Sequence, residues 1–513
     1  MRMFPRRRFL QALAAATVSP ALPGCAQQVG AARFASDPFA LGVASGYPHP
    51  SGMVLWTRLA GALDPVAVPV RWEIAADESM RRIVASGEAL AEPAWGHSVH
   101  VEAQGLEPER WYWYRFAAGN AASRVARTRT APRPEAAVAR LRFAFASCQQ
   151  YEQGWFAAQR HIAADAPDLV AFLGDYIYES SWGRNHVRQH TGGQPYTLDD
   201  YRQRYALYKS DPDLQAAHAA CPWVVTWDDH EVENDYAADR TGADLPAERF
   251  LARRAAAYRA YYEHMPLPAR MRPDAAGMRL YTQLGWGRLA RFYLLDDRQY
   301  RSWQACPRRG RLGGSNTVDV DKCAPLADPE RTMLGRAQER WLEGALGDSR
   351  SGWNLLAQQT PMAQFDQLAG PGRRAWTDGW DGYPAARRRL LESVSSRRIA
   401  NPVVLGGDVH AFNVSDLKLD FDDEKSPVVA SEFVGTSITS QAAPQERLDK
   451  LRAENPHMKF ADGRFRGYAR VELAPGRMQV ELRVLESEKK PDSACSTLAT
   501  FVVEDGKPGA GRA

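Results

Sequence analysis

Four short apolar runs, each ending abruptly in acid, imidazole, thiol or phenol groups, constrain this chain more than any other feature. "FAFASC" runs into Ser147-Cys148, and "VAFLGDYIYE" into Asp175 with Tyr178 just beyond. "WVVTWDDHEVEND" runs into Asp228, Asp229 and His230, with Asn234 four residues further, and "VVLGGDVH" turns on Gly406-Gly407 and delivers Asp408 and His410. Such runs read as buried strands, and the text between them reads as helix: "WFAAQRHIAAD", "TLDDYRQRYALYK" with a threonine cap and acids in its first turn, "ERFLARRAAAYRAYYEHM" stopping before Pro266, and residues 385–396. "RLARFYLLD" and "WNLLAQQTPM" read as further strands. Strands alternating with helices predict a layered α/β domain. In such domains the loops at the strands' carboxyl ends line the ligand crevice, so the four ends are expected to converge.

Taken singly, each group has an ordinary structural explanation. Cys148 fits as a small buried apolar residue, Tyr178 as amphipathic packing, Asp175 or Asp408 as a helix cap, Asp229-His230 as a turn and His410 as a satisfied core histidine. Brought together, they place several negative charges side by side, each raising the others' pKa. A cation resolves that conflict. Asp, Asn and His are ligands for hard or borderline metals, and a thiolate with a phenolate points to trivalent iron. Two or more ions are expected, with Asp175 as the bridge, because its three-residue spacing from Tyr178 aims both at one ion. "HEVEN" from His230 is a near miss for H-E-x-x-H, lacking the second imidazole and following a strand, so a zinc protease is excluded. The chain has no G-x-S-x-G elbow, no phosphate-cradling G-x-x-x-x-G-K-[ST] loop and no G-x-G-x-x-G.

Around this region the chain has 513 residues, enough for two or three domains. From 37 to 130 the text is β-like, with period-two alternation in "VPVRWEIAAD", "HSVHVEAQG" and "RWYWYRFAAG", and a small antiparallel sandwich is expected. "TRTAPRPEAAVAR" reads as the linker to a catalytic domain spanning 140–490, which closes on a hairpin at Pro475-Gly476; residues 491–513 are set apart as a C-terminal tail. Residues 1–33 read as a secretion signal, and Arg6-Arg7 before Phe9-Leu10 makes it a twin-arginine type. Export by the twin-arginine (Tat) machinery to the periplasm or medium follows. Leu22-Pro23-Gly24-Cys25 resembles a lipoprotein cleavage box with an unusual proline, so a lipid anchor at Cys25 is the alternative to free release. The net charge is +4, and the leader through Cys25 carries four arginines and no acid, so the mature chain is near neutral and offers no nucleic-acid-binding surface. Export permits a disulfide between Cys306 and Cys323 across a Gly-rich loop, whereas Cys221 and Cys495 have no assignment.

These residues resemble the PhoD-like alkaline phosphatases, within the calcineurin-like metallophosphoesterases. "FALGVASGYPHPSGMVLWTRLA" is similar to the family's N-terminal domain, and "FASCQ", "FLGDYIYE", "WVVTWDDHEVENDYA", "QQTPM" and "GGDVHAF" to its catalytic domain. The resemblance implies a four-layer αββα metallophosphatase domain preceded by an immunoglobulin-like β-sandwich, and hydrolysis of phosphate esters with a metal-activated hydroxide; a monomer is expected, although nothing in the sequence sets the oligomeric state. It implies ferric iron (Fe3+) held by Cys148, Asp175, Tyr178 and His410, with Asp175 bridging to calcium (Ca2+). Asp229, Asn234 and Asp408 are the implied calcium ligands, with Asp228 the neighbour, and His230 faces the phosphate. Asn354 or Gln359 is placed at the site's edge. Two departures stand out: Tyr47 replaces an acid common in the family, and no long C-terminal helix follows to lid the site. The alternatives are a phosphodiesterase or phospholipase D-type hydrolase on the same site, and an exported binding protein whose metal site is structural.

Overall fold

The computed structural model describes residues 33–241, 245–274, 277–308 and 316–513. The leader and Cys25 lie outside the described residues. The fold is mixed α/β and is organised around a ten-stranded and a seven-stranded sheet. At the centre of the larger sheet, Leu141–Ala146, Leu169–Leu173 and Trp223–Thr226 run parallel as neighbours. At the centre of the smaller, Ala290–Leu294, Trp353–Ala357, Pro402–Gly406 and Val428–Val434 do the same.

Parallel strands buried on both faces read as continuous apolar runs, because alternate residues serve different cores. Phe292, Leu355, Val403 and Leu405 pack against Phe143, Phe145 and Val170 of the other sheet. Their chain neighbours Tyr293, Leu356 and Val404 face the opposite way, onto Leu342, Leu346, Leu391 and Val394 of the helices Gly335–Gly347 and Pro384–Ser396. The helices Ala157–Asp165, Leu198–Lys209, Pro212–Ala220 and Ala247–His264 contribute Ile162, Tyr201, Leu214 and Phe250 to the core of the larger sheet. Leu198–Lys209 starts on a full capping box: the Thr197 side chain accepts from the Asp200 N–H and the Asp200 carboxylate accepts from the Thr197 N–H.

The N-terminal segment has its own core, in which Val43, Met53 and Leu55 meet Val70, Ile74, Tyr114 and Phe116. Its two sheets are not equally separate from the rest. Val68–Ala75, Ile83–Ala91, Trp111–Ala118 and Ala126–Arg129 pair among themselves. Val43–His49, Gly52–Arg58 and Ser98–Ala103 instead extend the large sheet, through Gly46 beside Trp223. Tyr47 belongs to this junction: it is buried, and its hydroxyl donates to the Val225 carbonyl at 2.8 Å. Tyr47 therefore reaches into the catalytic sheet.

The segment set apart as a C-terminal tail needs correcting. Cys495–Glu504 and Lys507–Arg512 form edge strands of the ten-stranded sheet. Ala499, Phe501 and Val503 alternate inward along the first of them, a period-two signal that ties these residues to the core. Beyond Arg452 the described residues form no α-helix. Cys306 and Cys323 are joined, and Cys148, Cys221 and Cys495 are free. Among the described residues no helix is long and apolar enough to cross a membrane.

Candidate metal centre

The carboxyl ends of the parallel strands in both sheets meet. Ser147, just past Leu141–Ala146, forms a parallel bridge to Ser437, just past Val428–Val434, and so stitches the two sheets together at this end. The crowding leaves no room for side chains at two turns. A Cβ on Gly174 would lie 2.5 Å from the Asp228 Cβ, and one on Gly407 would lie 2.3 Å from the Ser147 Oγ. Both glycines of "LGD" and "GGD" are thus needed for strand ends to approach.

The predicted ligands come together in overlapping groups. Ligand atoms of Cys148, Asp175 and His410 lie within 4.8 Å of one another, as do those of Asp175, Asp229 and His230, and those of Asp228, Asp229 and Asp408. Asp175 and Asp229 each belong to more than one group, which suits shared ligation. The Tyr178 hydroxyl donates to Asp175 Oδ2 at 2.8 Å and lies 3.2 Å from His410 Nε2. His410 Nδ1 faces the Gln441 carbonyl at 2.8 Å, so its N–H is committed there and Nε2 is left as the ligand. Cys148, Asp175, Asp408 and His410 all adopt positive φ, between 56° and 67°. Non-glycine residues rarely do so, and such strain gathers at functional sites.

The electrostatics show the same conflict. Burial, then the Asp175 charge, pushes the Cys148 thiol well up. Burial, then Asp175, does the same to the Tyr178 phenol. Burial raises Asp175 well above the carboxylate range against the pull of His230, with Asp228 and Asp229 adding to the rise. Burial and then Asp228 raise Asp408 likewise, and burial pushes Asp228 up to about 6 although Arg298 opposes it. Asp229 alone is held low, because Arg298 and His230 outweigh its burial. Asp175 Oδ1, Asp228 Oδ2, Asp229 Oδ1 and Asp408 Oδ2 are buried with no hydrogen-bond partner. Buried carboxylate oxygens without hydrogen bonds are costly, and carboxylates gathered this closely form the donor set of a cation site. Thiol, phenol, imidazole and carboxylate together suit ferric iron, and the three-aspartate group suits a hard divalent ion. The residues present therefore fit the metals that the resemblance implies.

His230 sits over the Tyr178 ring, with centroids 4.1 Å apart, and its Nδ1 lies 2.6 Å from Glu179 Oε2. Burial lowers its pKa, but Glu179, Asp175 and Asp229 overcome that and hold it well above the ordinary value. Asn234 lines the same cleft, with its N–H donating to Glu179 Oε1 at 3.0 Å. The structure does not bring Asn354 to the site. It sits at the start of its strand, with its amide donating to the Ala400 carbonyl at 2.7 Å, whereas the cluster lies at the strands' other ends. Gln359 is at the correct end but buried behind the ligands, where its amide ties the Trp227 and Leu295 carbonyls together.

Several supporting residues escaped the sequence reading. The Glu231 carboxylate accepts from the N–H groups of Asp175, Tyr176 and Asp228 and so locks two strand ends. Glu179 and Glu231 both lie within the quoted motifs, but a carboxylate's task of holding backbone leaves no spacing signature. Arg298 is fully buried and paired with Asp228, Asp378 and, at 3.4 Å, Asp408. It follows the strand Ala290–Leu294 in "LLDDRQY", so the strand-end rule that found the others applied to it too. Ser440, whose hydroxyl donates to the Tyr178 oxygen at 2.8 Å, lies in a loop with no motif.

Comparison with known proteins agrees with this geometry. Residues 143–482 match the PhoD-like phosphatase domain, and residues 24–132 match the PhoD-like phosphatase N-terminal domain. The chain is 45% identical over 529 aligned residues to alkaline phosphatase D of Bacillus subtilis (strain 168), covering 99% of this chain and 88% of that protein. A solved structure described as that of PhoD superposes with a TM-score of 0.89 at 45% identity, covering 94% of this chain and 93% of that one. On sequence, on fold and on coverage, the chain belongs to the PhoD-like phosphatase family.

Proposed function

We propose that this chain is an exported, metal-dependent phosphatase that hydrolyses phosphate esters in the cleft of about 600 Å³ onto which Asp175, Asp229, His230, Asn234, Asp408 and His410 open. The observation that carries the reading is the convergence of thiol, phenol, imidazole and carboxylates from separate strand ends, with four buried carboxylate oxygens lacking a hydrogen-bond partner. Family membership and the alkaline phosphatase activity named for the Bacillus relative support it. Cys148, Asp175, Tyr178 and His410 would hold ferric iron. Asp229, Asn234 and Asp408 would hold calcium beside Asp228, with Asp175 shared. Bound there, the cations supply Lewis acidity, lowering the pKa of a water and neutralising phosphoryl oxygens.

The protein's own groups position the reaction. Glu179 fixes the His230 ring by its Nδ1 side, which leaves Nε2 for the substrate. From there a protonated His230 delivers a proton to the leaving alkoxide. Gln441 and Ser440 fix His410 and Tyr178 in turn. Phosphoryl transfer needs positioning and charge compensation more than covalent chemistry, and this arrangement supplies both.

The reading extends to organisation and address. The shared core and flanking helices favour a four-layer αββα arrangement, and the separate N-terminal core favours an immunoglobulin-like module over 37–130. The arginine pair in the leader favours export of a folded, metal-loaded monomer by the twin-arginine route to the periplasm or medium, released or anchored through Cys25. Assay of metal-loaded protein on a chromogenic monoester and a diester, beside Asp175→Asn, tests the function. Loss of both metal and turnover in the variant is expected, and full activity in it would overturn the bridging role. A diesterase reading is favoured by one observation, that the cleft far exceeds the volume of a phosphate group.

A further inference from the structure

We infer that the far end of this cleft is a specificity subsite, built on Asn413 and Ser415, for a hydroxyl-bearing organic group of the ester. The inference rests on the phosphatase reading. The strand Phe412–Lys418 leaves the centre directly after His410. Its alternate residues Phe412 and Val414 enter the core between the sheets, whereas Leu417 belongs to the outer core. Asn413 and Ser415 therefore face outward, into the cleft that they line together with Glu432, Leu448, Leu451 and Met458. Ser415 and Glu432 are cross-strand partners and so share that face.

These polar groups have no structural task in view. Asn413 is 7% and Ser415 0% exposed, yet Asn413 Oδ1 and Ser415 Oγ have no hydrogen-bond partner. Glu432 differs: its two oxygens accept the N–H groups of Met362 and Ala363, so it shapes the floor. Leu448 and Leu451, from the helix Gln445–Arg452, and Met458 supply apolar walls. Apolar walls around a few convergent, unsatisfied polar atoms are the anatomy of a small-molecule site. A free carbonyl oxygen beside a hydroxyl asks for a ligand that donates. At about 3.3 Å per residue, Asn413 and Ser415 stand at most roughly 10 and 17 Å along the strand from His410. A sugar or nucleoside esterified to a phosphate held at the centre reaches the Asn413 end of that span, whereas a phosphate alone does not. The shared chemistry is a hydroxylated alcohol moiety with an apolar face.

The test compares metal-loaded wild type with the Asn413→Leu/Ser415→Ala double variant on glucose 6-phosphate, uridine 5′-monophosphate and phenyl phosphate, whose alcohol part has no donor. The ratio of kcat/KM on either hydroxylated ester to that on phenyl phosphate is expected to fall at least about tenfold. The two arms tell a sugar from a nucleoside. Because replacing unsatisfied polar groups with apolar ones is near neutral for stability, the variant's melting temperature is expected to equal or exceed that of wild type. If the double variant does not fold, Asn413→Ala alone deletes the nearer free carbonyl and must move the ratio in the same direction. An unchanged ratio, or a wild type that turns over phenyl phosphate while showing no preference for either hydroxylated ester, overturns the subsite. Ligand-observed NMR of the two esters reads binding without turnover. If wild type turns over no ester, the phosphatase reading fails, while weaker binding of the esters to the variant would still support the subsite and equal binding would overturn it.

Discussion

Replacing Asp408 by asparagine is expected to move stability in opposite directions in the metal-free and metal-loaded protein. The Asp408 carboxylate lies within 4.8 Å of those of Asp228 and Asp229. At an effective dielectric of about 20, each such pair repels by about 3.5 kcal/mol, and the Arg298 guanidinium 3.4 Å away attracts by about 5 kcal/mol. The balance is about 2 kcal/mol unfavourable before the cost of burial is added. Its pH dependence has a definite sign. The folded pKa of Asp408 is raised, so its penalty is absent below the unfolded value and grows as pH rises through the folded one. At alkaline pH without metal, Asp408→Asn should therefore be more stable than wild type by about 2 kcal/mol. With metal restored the order reverses, because the variant has lost a ligand oxygen and gains less from binding. Urea unfolding in chelator and in saturating metal measures both. A variant less stable than wild type in chelator, or one with an undiminished gain from metal, would refute the reasoning.

Tyr178→Phe removes the phenol that contacts Asp175 and His410. Ferric-loaded wild type should show a phenolate-to-iron absorption band in the visible region, and the variant should lack it. Glu179→Gln frees the His230 ring from its carboxylate partner at 2.6 Å. Rates should fall about a hundredfold on esters with poor leaving groups and less on nitrophenyl esters, which need no proton. Glu432 is pushed by burial up to about 7, with the Met362 and Ala363 N–H groups opposing. Its contribution is complete below about pH 4.5 and lost as pH rises through about 7, so metal-free wild type should lose up to about 3 kcal/mol across that window and Glu432→Gln should not.

Much of the site was legible because its chemistry sits where strands stop. An apolar run that ends in Asp, His or Cys marks both a sheet and its business end, and four such runs named residues that the fold does bring together. The residues that hold those ligands were not legible in the same way. Glu231 works by accepting backbone N–H groups from two separate strands, and Arg298, although it too follows a strand end, by balancing carboxylates that sequence leaves far apart. Those roles exist only after the sheets meet. The edge strands at 495–512 were missed for a different reason. Their pattern alternates apolar with small or polar residues, unlike the continuous runs of the buried parallel strands, and the break at "SEKKPDSAC" reads as an end. Asn354 was placed at the site's edge by the resemblance alone, but it stands near the start of the strand Trp353–Ala357, whereas the cluster lies beyond that strand's other end.

Crystals of the metal-loaded protein, measured at the iron absorption edge, address the central claim most directly. The account predicts an anomalous peak within bonding distance of Cys148 Sγ, an Asp175 oxygen, the Tyr178 oxygen and His410 Nε2, and none at that edge on the Asp228–Asp229–Asp408 side. An iron-free cluster in fully active protein would contradict it.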